Sequence, residues 1–310
     1  PISLIVLAVV FLNVRPNARI KAKIDYLSSI LLAAALTFFC MGLSQQLGNE
    51  NYLQKLIGFL SAGIVLFAIF IVRSKKIPEP LVELSAFKNR VFSMANLTNL
   101  FVGAALIIAM VDIPLMADTI MGVSALEGGL RLLRFTVMLS LGAIAGGFLC
   151  KRFGYRLPTI IGLIMSCIGF IFMSRWTLEI ADPQMTVHLF ICGFGFGLVI
   201  APLGTAVMDS VSQEQKGFAS SMVVMARMIG MMLGMAAITA WGMERFHLAT
   251  ASLSLEEIMD TPDKLTASLL ALFDNFFLAS VFICAIAILP AIFLSRKKKA
   301  VREASSLEQK

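Results

Sequence analysis

Charge is what this chain has least of. Asp, Glu, Lys and Arg make up only 15% of its 310 residues, against 58% that are apolar. A water-soluble globular domain is about a quarter charged and about half apolar, so the balance excludes an ordinary soluble enzyme or nucleic-acid-binding domain. Histidine is almost missing: His188 and His247 are the only two. With no HExxH, no His/Asp cluster and no nucleophile–base spacing, the chain is not expected to be an enzyme or to carry a metal or other cofactor. The five cysteines, Cys40, Cys150, Cys167, Cys192 and Cys284, form no CxxC and no Cys/His cluster. They lie within or at the ends of apolar runs and read as free thiols filling space in lipid. No repeated polar filter sequence is present, which disfavours a channel.

What fills the chain instead is a series of long apolar stretches with short connections. A helix needs about 20 mostly apolar residues to cross a bilayer. Eight runs meet that measure, at roughly 26–43, 57–73, 92–116, 128–150, 157–174, 186–209, 217–242 and 269–295. The run Pro1–Leu12 is about half that length and ends directly in the basic stretch 13–23. It reads as the last part of a transmembrane helix that begins upstream. A cleavable signal peptide fits worse, because no basic region precedes the run and no small-residue cleavage site follows it. The expectation is an all-α polytopic membrane protein.

The net charge of +7 has a topological explanation. The connections 13–24, 74–91, 151–156, 210–216 and the tail after Ser295 share one side. With Arg73 at the boundary they hold 19 of the 26 basic residues, and the opposite side holds only Lys55, Arg175, Arg245 and Lys264. By the positive-inside rule the first set is cytoplasmic, as is the C-terminus. The expected division is a truncated helix plus two helices over 1–73, a cytoplasmic connector over 74–90, a six-helix bundle over 91–296 and a basic tail over 297–310. In the connector, Pro78, Pro80 and the amphipathic run 81–87 suit a surface helix.

Three basic residues fall inside apolar runs, where a charge is costly and a functional candidate by default. Arg227 is the deepest, about ten residues from the cytoplasmic end of its run and so roughly 15 Å in. It is either a structural arginine paired to backbone carbonyls or a carboxylate, or a residue of gating, coupling or substrate contact. Arg131 and Arg134 are three apart, hence on one helix face, near the outer end of their run. Asp112 is near the outer end of the preceding run, so an Asp112–Arg134 or Asp112–Arg131 pair is expected, as an outer latch or protonatable switch. Snorkelling of the arginines to outer headgroups is the plain alternative. Asp274 also lies near an outer end, and Asp209 at a cytoplasmic end within reach of interfacial water.

Small residues mark close packing. Gly193, Gly195 and Gly197 with Pro202 give one helix a smooth face and a point where a bend is expected. Gly230 and Gly234 supply a small-xxx-small surface beside Arg227, and Gly142, Gly146 and Gly147 do the same on another helix. Eighteen methionines, dense over Met222–Met235, form either a soft surface for varied apolar ligands or ordinary filler.

Gly147-Phe-Leu-Cys-Lys-Arg-Phe-Gly-Tyr-Arg156 resembles the cytoplasmic inter-helix loop motif of the major facilitator superfamily, glycine-x-leucine-x-aspartate-arginine-x-glycine-x-arginine. Gly147, Leu149, Arg152, Gly154 and Arg156 match, while Lys151 replaces the acidic position and puts the usual latch role of this loop in question. Ala95-Asn-Leu, Gly122–Arg134, Gly193–Gly197 with Pro202-Leu-Gly-Thr, and Gly217-Phe-Ala-Ser-Ser with Arg227-Met-Ile-Gly230 and Gly234 are similar to the C-terminal half of that family's fourteen-span drug:proton antiporter branch. Arg134 stands where a proline is common. The resemblance implies a partial major facilitator fold: the end of span six, two central spans over 26–73, and the C-terminal bundle over 91–296. The N-terminal bundle, with most of the proton-coupling acids, would lie outside this sequence.

On that resemblance the expected function is proton-driven export of amphipathic small molecules or drugs across the cytoplasmic membrane of a prokaryote. Alternating access would run between this bundle and the missing one. The expected partners are the lipid bilayer, protons, and a small amphipathic or organic substrate, with no nucleic acid. A selective exporter of a metabolite, lipid-linked compound or organic anion, and a non-transporting sensor or scaffold, are the alternatives.

Overall fold

The structure is a computed structural model that describes residues 25–45, 51–77, 82–178, 180–250 and 262–294. The helix stub before residue 25, Pro78, Pro80, Leu81 and the basic tail lie outside the described residues. Among the described residues there are eight long helices: α1 Tyr26–Leu43, α2 Tyr52–Ser74, α3 Arg90–Thr119, α4 Ala125–Phe153, α5 Arg156–Met173, α6 Asp182–Asp209, α7 Lys216–Thr250 and α8 Pro262–Ile292. Each corresponds to one of the eight apolar runs, and each is long and apolar enough to cross a membrane. No strand occurs among the described residues. Several helices outrun their apolar segments. The 35 residues of α7 extend about 50 Å, well beyond a hydrocarbon core of about 30 Å.

Local chemistry sets the helix ends. Asn89 accepts the Val91 N–H at 3.0 Å and starts α3. Ser124 accepts the Glu127 N–H at 3.3 Å and starts α4, just after Gly122 turns the chain with φ +61°. Gly154, at φ +81°, ends α4 while its N–H returns to the Cys150 carbonyl at 2.9 Å. A left-handed residue at that place is what glycine supplies without steric cost. Asp25 caps α1, accepting the Ser28 N–H at 3.2 Å.

Helices α3 to α8 form one bundle with α3 and α6 at its centre. Over half of each central helix's apolar window is buried, and far less of α4 or α7. The main seams are α4–α6, α5–α6, α3–α7, α3–α8 and α5–α8. Phe135, Phe196, Phe170 and Phe277, all fully buried, join four helices with ring centroids 5.8–6.3 Å apart. Hydrophobicity alone does not hold helices together in lipid, so the seams depend on close backbone approach. The glycine run of α6 shows how. A Cβ on Gly193 or Gly197 would run into the α4 carbonyls of Phe135 and Leu139, and one on Gly195 would lie 2.7 Å from the α5 carbonyl of Gly162. Spacing alone decides this: residues four apart share a face, and the residue between them faces the other neighbour. The helix stays continuous through Pro202, whose Cδ packs against Gly146; the structure uses this segment for packing.

The hairpin α1–α2 joins the bundle along α1 and α7. Its helices are tied at one end by Arg73 Nη2 and Asp25 Oδ1, 3.3 Å apart. In the connector the described residues hold a single 3-10 turn, Ala86–Lys88, rather than a surface α-helix. That segment is fastened to the α6–α7 connection: Asn89 Nδ2 donates to the Ser210 carbonyl at 2.7 Å, and Gln215 Nε2 donates to Glu83 Oε2 at 2.5 Å. Val82 and Ala86 of the same segment are buried, so the connector packs down rather than lying as a free surface helix.

Candidate functional site

Arg227 and its surroundings form the deepest polar arrangement. Asn99, fully buried on α3, accepts the Arg227 Nε–H on Oδ1 at 3.2 Å and donates from Nδ2 to the Val223 carbonyl at 2.6 Å. Both lie well inside their helices, nine and eleven residues from the first, about 14 and 17 Å along the axis. The side-chain partner of the arginine is therefore a neutral amide, a partner that the structural alternative, with its backbone carbonyls or carboxylate, did not name. The close approach that permits it comes from glycine on both helices. A Cβ on Gly103 would strike the Arg227 carbonyl, a Cβ on Gly230 the Leu100 carbonyl, and one on Gly234 would lie 2.7 Å from Ala104 Cα. Each Cα–H can then face the other helix's carbonyl, a contact worth about 0.5–1 kcal/mol. Asn99 was missed by the sequence reading, although an amide inside an apolar run is the same kind of signal as the arginines.

The expected pairing of Asp112 with Arg131 or Arg134 is not formed. Arg134 Nη1 instead reaches α6, 2.7 Å from both Asp182 Oδ1 and Thr186 Oγ1. Arg131 Nη1 donates to Met121 Sδ at 2.6 Å. Asp112 is 4% exposed, and its Oδ2 has no hydrogen-bond partner. The reason is rotational. Helix α4 packs chiefly on α6, which carries Arg134 toward that helix, while Arg131 stays with the α3–α4 connection and α3 turns Asp112 into the bundle. Asp274 of α8 likewise keeps a buried Oδ1 without a partner.

At the basic end, the loop-motif residues Gly147, Leu149, Lys151 and Arg152 occupy the last turns of α4, Gly154 ends the helix, and Arg156 opens α5. Lys151 and Arg152 are exposed, over the Phe148 and Phe153 rings. Tyr155 Oη donates to Asp209 Oδ2 at 2.5 Å, giving that acid a partner the sequence reading did not assign. Asp209, Lys151 and Tyr155 line a cavity of about 440 Å³ with Ile144, Phe148 and Thr205. An acid thus faces the loop from α6, where the loop itself carries Lys151.

The methionines of α7 are divided between two environments. Met222 is buried. Met225, Met228 and Met232, with Val224, Ile229 and Leu36 of α1, line an open groove of about 630 Å³ whose only polar members are Ser220 and Ser221. Both serine hydroxyls donate to the Gly217 carbonyl, so their hydrogens are spent within α7 and the lining is mainly hydrocarbon and thioether. Among the remaining sequence candidates, His188 accepts the Trp176 Nε1–H at 3.0 Å and stacks on Phe172. No His/Cys/Asp/Glu group suited to a metal ion occurs among the described residues, and the five cysteines are not joined in disulfides.

Comparison with known proteins places this arrangement. Along its length the chain is similar to a triacylglyceride transporter of Mycolicibacterium smegmatis, 32% identical over an alignment covering 97% of this chain and 59% of that protein. A probable triacylglyceride transporter of Mycobacterium leprae is 29% identical, covering 91% and 60%. The chain therefore spans about three fifths of the length of these relatives. In fold it is similar to a solved bacterial homologue of the human lysosomal transporter Spinster in an inward-facing, unoccupied conformation, with TM-score 0.58 and 15% identity over 87% of this chain and 69% of that one. These names and the family point to a transporter rather than an enzyme. The profile described as Major Facilitator Superfamily matches residues 95–310, the whole of the bundle from the first turn and a half of α3 onward, and the chain belongs to that family.

Proposed function

We propose that this chain is the greater part of a proton-coupled exporter of acyl lipids or similarly amphipathic molecules, working by alternating access in the cell membrane. The observation that carries the reading is the methionine-lined groove along α7, open and without a charged side chain in its lining. A surface of long unbranched side chains adapts to flexible hydrocarbon and specifies little about shape. The relatives' name, triacylglyceride transporter, favours a lipid over a drug. It moves the reading from multidrug export to the lipid-linked alternative. The fourteen-span plan, the cytoplasmic C-terminus and a second bundle supplied by sequence beyond residue 1 belong to the same proposal, because export by alternating access needs two bundles around one site. Within this half, Asp112 is the group we assign to the proton. It is a buried carboxyl that pairs with no cation among the described residues, and intramembrane acids of this kind mark proton pathways.

The test uses the full-length protein in vesicles with an imposed proton gradient, following a triacylglyceride analogue with a fluorescent acyl chain and, in parallel, a fluorescent lipophilic cation. Gradient-driven movement of the lipid analogue, reduced at least tenfold in Asp112→Asn, is the expected result. Movement of the cation alone would return the multidrug reading, and movement of neither would discard export of amphipathic molecules.

A further inference from the structure

The α3–α7 seam holds a polar contact more constrained than packing requires. Asn99 is fully buried, and its amide is engaged at both ends. The oxygen takes the Arg227 Nε–H, and the nitrogen gives its hydrogen to the Val223 carbonyl one turn earlier on α7. The two partners fix which way the amide points, since only its oxygen can accept from an arginine. Glycines on both sides bring the backbones together at this level, with Gly103 against Arg227 and Gly230 against Leu100. These close approaches set the height of α3 against α7 at the level of the amide.

Such a contact does something a simple packing residue does not. An arginine stem has many rotamers, and a guanidinium near mid-membrane ordinarily snorkels toward an interface. Engagement of Nε sets the plane and the height of the whole guanidinium, because its five N–H groups form one rigid fork. A lysine at 227 keeps the positive charge and has no Nε–H for Asn99 to hold.

We infer that Asn99 is a positioning residue: it holds the Arg227 guanidinium at one height and in one plane within the bundle, and acts on transport through that arginine. This rests on the export reading above, and the experiment separates the two. In full-length protein, Asn99→Ala, Arg227→Lys and the double variant are compared for the initial rate of gradient-driven lipid-analogue export over a range of probe concentrations, together with the thermal midpoint of each. Asn99→Ala is expected to lower the maximal rate at least fivefold in the wild-type background and less than twofold in Arg227→Lys. A residue that only ties the seam through Val223 would lower the midpoint and the rate by the same factor in both backgrounds, and that result overturns the inference. Asn99→Leu, close in volume and without polar groups, replaces Asn99→Ala if the alanine variant does not fold. Hydrogen exchange at ¹⁵N-labelled arginine side chains supplies the second readout. A protected Arg227 Nε–H that becomes exchangeable in the Asn99 variant supports the inference, and equal exchange in both sinks it. If the wild type carries no probe, the export reading fails by itself and the exchange measurement decides the role of Asn99.

Discussion

At the scale of single residues, glycine and the buried amide carry more of this structure than the charges do. Gly103, Gly230 and Gly234 sit where a methyl group would meet the main chain of the opposite helix, while Gly147 and Gly204 have nothing within 4 Å of an added Cβ. The two groups therefore separate experimentally. Gly230→Ala must push α3 and α7 apart against their backbones, at a cost of about 1–3 kcal/mol typical of overpacking. Gly204→Ala meets no obstacle and gains helix propensity. Thermal midpoints of purified protein should show a clear loss for the first and none for the second; equal effects would mean the seam is not as close as described. Sequence spacing made Gly230 and Gly234 legible as a small-residue surface, but the facing Gly103 and Asn99 were not, because residues 124 or more positions apart in the chain share no local pattern.

At the scale of elements, the hairpin α1–α2 is held at one end by a cap and an ion pair sharing a carboxylate. Hydrogen bonding from the Ser28 hydroxyl pulls the Asp25 carboxyl below its ordinary value of 3.8, partial burial opposes this, and the Ser28 N–H and Arg73 add to the lowering. A carboxyl lowered in the folded state contributes stability that is present above its unfolded value and lost as pH falls through the folded one. Protection of the first-turn amides of α1, measured against their intrinsic exchange at each pH, should therefore be level from neutral pH down to about 4 and fall only below it. Asp25→Ala should lose that protection at every pH. A fall in protection between pH 7 and 5 in the native chain would assign the fastening to some other group. The same scale explains the failed Asp112–arginine pairing. Proximity of two helix ends in sequence fixes their height but not their rotation, and rotation is set by which neighbour each helix buries itself against.

At the scale of the whole molecule, a bundle built on two central helices, with a lipid-facing hairpin beside it, has a definite orientation written in its connections. Residues 74–76 and 151–156 carry basic side chains at one end, and Arg175 and Lys55 stand nearly alone at the other. With a membrane-impermeant maleimide, Arg175→Cys is expected to label in intact cells and Lys151→Cys only after permeabilisation. The reverse pattern would invert the molecule and every side-specific role proposed for it. The chain's three-fifths share of its relatives' length sets the framework for that experiment, which belongs in the full-length protein.

By itself the sequence determined that this is a helical membrane protein, how many of the described segments are long and apolar enough to cross, where most of them begin and end, and the superfamily. Those properties follow from apolar run length, capping residues and the placement of basic connections, all of which act within a few neighbouring positions. Tertiary structure alone decided that Arg227 is held by Asn99 and that Arg134 turns to Asp182. It likewise decided that Asp209 is met by Tyr155, and that part of the methionine cluster is buried while part lines an open groove. Each of those outcomes depends on the rotation of one helix against another, and that rotation is fixed by glycine contacts between segments far apart in the chain.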